Sequence, residues 1–413
     1  MHFFYSLSLY SFLLAIIFFR LPNIYFLPFV TSGIFTTQAI ARVLLIVVFF
    51  GGFFIYKRSF FQNKESRIIT ILLLCFFLSS SLSIIATQNL DIFFTRYKDL
   101  VIGIMAFFVF QYFIFEKKKI VIALLITIPF NIVYQLVLLY GENSFLVVKN
   151  FIYEKHFELV YYNLKRGRIY MDVYDEAFLP LLFLFLDRKK KLQFFLVSIP
   201  ILFIAYLAFM CNFRTRILMF FLGFFGSLAI LGKISIKRIL MVLVMVSLFG
   251  SIVIIFFSNS VGLRFYDRFL LSNQAEDISS IKSRYWQIDD ALEMGITSPF
   301  GVGLGNYYDN MKEGKGKSVY DAFSPVLKDR TAHQYIHNNF AMVIGESGYI
   351  SFFFYCLLMI KFAQIDYKTL KEKDNYKKSF VISFWLLFFF GLLNPPIPGS
   401  YQILFWGVRG LLM

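Results

Sequence analysis

The chain has 413 residues, 59% hydrophobic, 21% aromatic and 16% charged, with a formal net charge of +16 and a mean hydropathy of +0.69. That balance excludes a soluble globular protein, whose polar groups would be too few to cover its surface. Uninterrupted apolar runs of helix-spanning length, with no dyad alternation, exclude a β-barrel and leave an all-α polytopic membrane protein.

Twelve spans are predicted in chain order, at 3–19, 40–56, 68–87, 99–115, 120–140, 171–186, 192–211, 214–231, 239–257, 338–362, 379–395 and 401–413. Spans six and twelve are the shortest. The first run lacks a basic n-region and a small-residue cleavage site, so it reads as a retained helix rather than a signal peptide. Residues 24–36, with Pro28 and Gly33, read as a re-entrant or interfacial piece. The expected organisation is helices one to nine over residues 1–257 with a smaller loop at 141–170, a large polar loop at 258–336, and helices ten to twelve over 337–413. The three cysteines, Cys75, Cys211 and Cys356, are far apart in apolar runs and imply no disulfide framework.

The basic clusters set the expected orientation. Lys57, Arg58, Lys64 and Arg67; Lys117 to Lys119; Arg188 to Lys191; Lys233, Lys237 and Arg238; and Lys368 to Lys378 all fall on one side when the spans are numbered. Short Lys/Arg-rich connections stay cytoplasmic. Both termini are therefore expected in the cytoplasm, with the loops at 141–170 and 258–336 and the turn Asn212 to Arg216 on the opposite face. The positive charge is then a topology signal and not a footprint for nucleic acid.

Within the large loop, Ile281, Tyr285, Ile288 and Leu292 recur at helical spacing, which predicts an amphipathic helix over 280–295 with Asp289, Asp290 and Glu293 around its apolar face. Ser298 to Gly305 then breaks it. No strand precedes those glycines and Asn306 takes the place of a final one, so a turn packed on the membrane surface is expected rather than a dinucleotide loop. Gly314 to Lys317 reads as a hairpin tip.

Few residues in this chain can carry chemistry. Arg214 and Arg216 stand at the start of a span with no acidic residue beside them in sequence. They are either interface anchors or a donor fork for a phosphate group. Arg284 lies on the predicted loop helix beside Trp286, as a surface arginine or a functional one. His337 opens span ten at the water boundary, as a capping histidine or a general base. His333 and His337 are four apart, but no third ligand follows at a usual distance, so no metal is expected.

The order of these residues in a twelve-span frame resembles the O-antigen ligase family and its relatives, the O-antigen polymerases. The likeness is strongest from about residue 211 to 350. Arg214-Thr-Arg-Ile-Leu218 is similar to the arginine and leucine that open a span in that family. Arg284-Tyr-Trp286 and Pro299-Phe-Gly-Val-Gly303 are similar to its second arginine and the glycine segment after it. His337-Asn338 is followed by nine residues and then Gly348-Tyr-Ile-Ser351, where Ser351 departs from the usual pattern.

The resemblance implies a bacterial inner-membrane glycosyltransferase with its active site facing the periplasm. It would move a glycan from a polyprenyl-pyrophosphate donor to a hydroxyl of a glycan or lipid-glycan acceptor, such as lipid A-core. Reaction with inversion and without a metal or cofactor is implied. So are catalytic roles for His337, Arg284 and Arg214, and substrate-binding roles for Arg216, Asn338 and Trp286. The implied partners are the lipid-linked donor, the acceptor and membrane lipids, with no nucleic acid. Three other readings stay open. One is polymerisation, since Arg284 and Gly295 have the spacing seen in polymerases. Another is protein O-glycosylation. The last is a polyanion transporter or flippase, although the polar residues collect at one face instead of at the midplane.

Overall fold

The computed structural model describes residues 2–24, 36–56, 64–140, 174–186, 190–210, 214–231, 274–307, 310, 336, 338–394 and 400–413. Predicted span nine, the loop at 141–170, the hairpin tip at 314–317, all but the two end residues of the piece at 24–36, His156, His333, His337 and Cys211 lie outside the described residues. Among the described residues the chain is helical, with no strand.

The helices, in chain order, are α1 (His2–Arg20), α2 (Thr37–Tyr56), α3 (Lys64–Ser81), α4 (Leu90–Tyr112), α5 (Lys117–Leu125), α6 (Ile128–Tyr140), α7 (Leu179–Leu184), α8 (Lys191–Met210), α9 (Arg214–Ile230), α10 (Gln274–Thr297), α11 (Asn339–Thr369), α12 (Asn375–Leu393) and α13 (Ser400–Gly410). Among the described residues, six helical stretches are long and apolar enough to cross a membrane: Phe3–Arg20, Lys64–Ala86, Ile114–Leu138, Lys191–Met210, Asn339–Thr369 and Asn375–Leu393. Predicted spans six and twelve appear as short pieces. The first is a 3₁₀ turn (Asp175–Phe178) leading into α7, and the second is α13; both are buried.

The outside of the bundle is apolar. Only 22% of the α8 window is buried, and Leu192, Phe195, Leu196 and Leu202 stand exposed along it. A surface of that kind needs lipid, not water, around it. The inside is held by close approach. Gly103 of α4 lies under the Trp406 ring of α13, and Gly407 of α13 lies against Phe110 of α4. Small residues at such crossings let two helix backbones come together where burial from water gives no driving force.

Contacts sort the two ends of the bundle. Lys368 pairs with Glu65 at 2.8 Å, Lys117 pairs with Asp374 at 3.0 Å, and the Tyr5 hydroxyl donates to Glu116 at 3.1 Å. Three of the basic connections therefore share one end. Beneath them, Arg409 donates through Nη1 to Asp366 at 2.6 Å, Trp385 Nε1 donates to the other carboxylate oxygen at 2.8 Å, and the guanidinium sits 4.1 Å from the Phe362 ring centroid. Removing one partner of such a buried pair strands the other. Asp366→Ala should therefore cost about 3–5 kcal/mol, while Asp366→Asn, which keeps a hydrogen bond, should cost less. Thermal unfolding in detergent measures both, and an unchanged melting temperature in the alanine variant would refute the pairing.

Candidate active site

The opposite end of the bundle is organised by a break in α11. Gly348 sits there with φ 79° and ψ 175°, inside an otherwise helical run. Residues 298–306 form an arch against this break. The Val302 N–H donates to the Gly345 carbonyl at 3.1 Å, and the Gly303 N–H donates to the Glu346 carbonyl at 3.0 Å. Gly301 has φ 68°, and a Cβ there would lie 2.6 Å from the Glu346 backbone. At Gly348 a Cβ would strike Gly301 N at 2.5 Å. Both positions need glycine for conformation and for space. The turn expected on the membrane surface is thus packed on a kinked helix.

Asn306, the residue standing where a last glycine was looked for, ties the arch down. Its side chain is fully buried. Its Nδ2 donates to Thr87 Oγ1 at 2.5 Å and to the Asn89 carbonyl at 3.2 Å, and its Oδ1 accepts from the Asn89 N–H at 2.8 Å. The arch therefore bridges α11 and the turn between α3 and α4.

The loop helix α10 lies along α11, but only in part by the face expected: Ile288 packs inward, whereas Tyr285 and Leu292 do not. Tyr285 and Ile296 are 67% and 68% exposed, whereas Ala291 is fully buried and Asp290 nearly so. The reason is again close approach. Ala291 packs on Gly345, and Gly295 packs on the Ile344 backbone, where a larger side chain would not fit. The apolar stripe of Tyr285, Leu292 and Ile296 is left facing outward. Tyr307 closes the polar side of the contact, its hydroxyl 3.2 Å from the Gln287 carbonyl and 3.4 Å from Asp290 Oδ2. Burial pushes this hydroxyl well above the usual tyrosine range and the Asp290 carboxylate adds to the rise, so it remains a neutral donor. Arg284 is half-buried on the stripe that continues through Gln287 and Ala291. Ile288, one turn on, packs in one cluster with Ile336 and Ala341, which places Arg284 toward the start of α11.

Asn338 starts that helix. Its Oδ1 accepts from the Ala341 N–H at 3.0 Å, capping α11, and its Nδ2 donates to the Leu392 carbonyl at 3.3 Å. Asn339 Nδ2 donates to the Tyr401 hydroxyl at 3.0 Å.

Arg216 has an acidic partner that sequence proximity did not reveal. It donates through Nε to Glu176 Oε1 at 2.7 Å and through Nη2 to Gln135 Oε1 at 3.0 Å. Both ends of this pair are buried. Asp175, the adjacent residue, takes Arg20, the Asn131 amide at 3.0 Å and the Gln135 amide at 3.4 Å. The two carboxylates thus each hold an arginine from a different helix, and Gln135 links them. Tyr174, just before them, adopts a left-handed conformation with φ 47°, the one non-glycine positive φ among the described residues. Its ring stands 5.9 Å from that of Tyr401, the acceptor of the Asn339 amide. Arg216 is therefore engaged as an anchor of the first turn of α9, and its Nε and Nη2 are committed before any ligand arrives.

Of the predicted set, Arg216 connects through Glu176, Tyr174 and Tyr401 to Asn339, the neighbour of Asn338, and Arg284 lies one turn from Ile288, which packs with Ile336 and Ala341. The backbone of Arg214 opens α9. The side chains of Arg214 and Trp286, and all of His337, lie outside the described residues. Among the described residues, no three His, Cys, Asp or Glu side chains converge to hold a metal ion.

The fold defines a multi-pass, all-helical membrane protein whose α9 and α11 begin in polar contacts at one end of the bundle. Residues 199–356, which contain α9, α10 and the first part of α11, match the family model described as O-antigen ligase, and this match supports an O-antigen ligase family protein of ligase or polymerase-related function. No curated protein matches the chain.

Proposed function

We propose that the chain transfers a glycan from a polyprenyl-pyrophosphate donor to an acceptor hydroxyl at the extracytoplasmic face of the bacterial inner membrane, as an O-antigen ligase does. The observation that carries this reading is the family match over 199–356, because that segment holds Arg214, Arg284 and His337 together. As the glycosidic bond breaks, negative charge grows on the leaving diphosphate. Preorganised guanidinium groups stabilise such charge most where water is excluded. Arg214 and Arg284 take that role, and His337 takes the proton of the attacking hydroxyl. Attack opposite the leaving group inverts the anomeric centre, with no metal and no cofactor assigned. Asn338 caps the helix that follows the base, Trp286 flanks the substrate beside Arg284, and Arg216 holds α9 from inside. The basic connections that share one end face the cytoplasm, as do both termini.

The polymerase spacing between Arg284 and Gly295 has another cause, since Gly295 is where α10 touches the α11 backbone. A deletion strain examined on a glycan gel tests the reading. Loss of glycan from its acceptor, with lipid-linked long chains accumulating, is the expected result. Single repeat units in place of long chains would mean a polymerase, and an unchanged glycan profile would overturn the proposal.

A further inference from the structure

Under the arch, a cavity of about 70 Å³ opens between α3, α4, α11 and α13. Its polar wall carries Ser80, Arg96, Asp99, Asn339 and Glu346, and its floor is aromatic, with Trp406 foremost. The groups are held in place from outside. The Glu346 carboxylate takes the Gly305 backbone N–H and faces the Arg96 charge. Asp99 accepts from Arg42 at 3.3 Å. Asn339 and Glu346 are seven residues apart on α11, so they share a face two turns apart. The Ser80 hydroxyl is fully buried, lines the cavity and has no hydrogen-bond partner. A buried hydroxyl left unpaired costs free energy, and a ligand that pairs with it recovers that cost.

The charges decide what fits. The lining sets one guanidinium, Arg96, against the two carboxylates of Asp99 and Glu346, which would repel a diphosphate, while Arg42 and Lys98 face Asp99 from outside the lining. Fixed carboxylate, amide and guanidinium groups above an aromatic floor suit a neutral ligand with several hydroxyls on one edge and C–H groups on its face. At about 70 Å³ the cavity is smaller than one of about 150 Å³, which holds a six-membered ring, so the edge of a sugar enters and not the whole ring.

We propose that this cavity binds the hydroxyl-bearing edge of one pyranose of the saccharide substrate, with Ser80, Arg96, Asp99 and Glu346 as its hydrogen-bonding groups. That the sugar is the acceptor's rests on the transfer reading above. The full chain in detergent is titrated with methyl α-glucopyranoside, methyl α-galactopyranoside and methyl α-mannopyranoside, and saturation-transfer NMR reads binding. At least one glycoside should bind. Ser80→Ala removes a hydroxyl that has no partner in the fold, so it leaves folding intact and should weaken that binding about fivefold. Ser80→Leu fills the space and should abolish it, and Glu346→Gln should weaken it. No binding by the wild type, or undiminished binding in Ser80→Leu, overturns the proposal. The same preparations, assayed with a lipid-linked donor, separate the two readings. Sugar binding that depends on Ser80 without any transfer sinks the transferase and keeps the subsite. Transfer by Ser80→Leu at the wild-type rate and acceptor KM sinks the subsite and keeps the transferase.

Discussion

Alanine at His337 is expected to abolish glycan transfer in a protein that still inserts and purifies like the wild type. A positioned general base contributes about 10²–10⁴-fold to a rate. Arg214→Ala and Arg284→Ala should each cost about 10²–10³-fold, the loss seen when one preorganised donor is taken from a developing anion. Lysine at either place keeps the charge but loses the planar fork, so it should recover only part of the rate. The readout is transfer from a lipid-linked donor in membranes holding equal amounts of each protein. A wild-type rate in His337→Ala removes the base from the proposal. Wild-type rates in both arginine variants remove the grip on the diphosphate.

How much of this was legible in sequence varied with the physics behind each element. The membrane class followed from composition, because no arrangement of so few polar groups covers a soluble core. The loop helix α10 was visible in its periodicity, but its buried face only in part. Hydrophobic spacing reports which side chains avoid water, and near a membrane those side chains need not face the protein. Tyr285 and Ile296 face out, while the contact with α11 is made by Ala291 and Gly295, whose small size carries no periodic signal. The glycines of the arch stood out in sequence, whereas their partner, the break at Gly348, is forty-seven residues beyond Gly301 and gives no local sign. Asn306 looked like a departure from a glycine pattern; it is the clamp that joins the arch to Thr87 and Asn89. The acidic partner of Arg216 is forty residues upstream, beyond a whole helix and a turn, so local spacing could not pair them. One signal was available: Asp175 and Glu176 are adjacent carboxylates at the edge of an apolar run, and buried acids require cations.

That buried pair carries the last prediction. Glu176→Leu leaves the Arg216 guanidinium without its carboxylate and should cost about 3–5 kcal/mol, with transfer falling as the first turn of α9 loosens. Arg216→Met strands Glu176 in the same way. The double variant Glu176→Leu with Arg216→Met removes both charges, and replacing a buried ion pair by apolar residues of similar size is often neutral for stability. Gln135 then loses one partner, yet it keeps its bond to Asp175. Melting temperatures and initial transfer rates of the four proteins form a cycle whose coupling term isolates the pair. If Arg216 acts only by holding α9, the double variant recovers stability and most of the transfer rate together, because Arg214 is again presented by an ordered turn. If Arg216 itself meets the diphosphate, the double variant is stable but as slow as Arg216→Met alone. The first outcome is expected, since both donors that make a bidentate grip are already spent on Glu176 and Gln135.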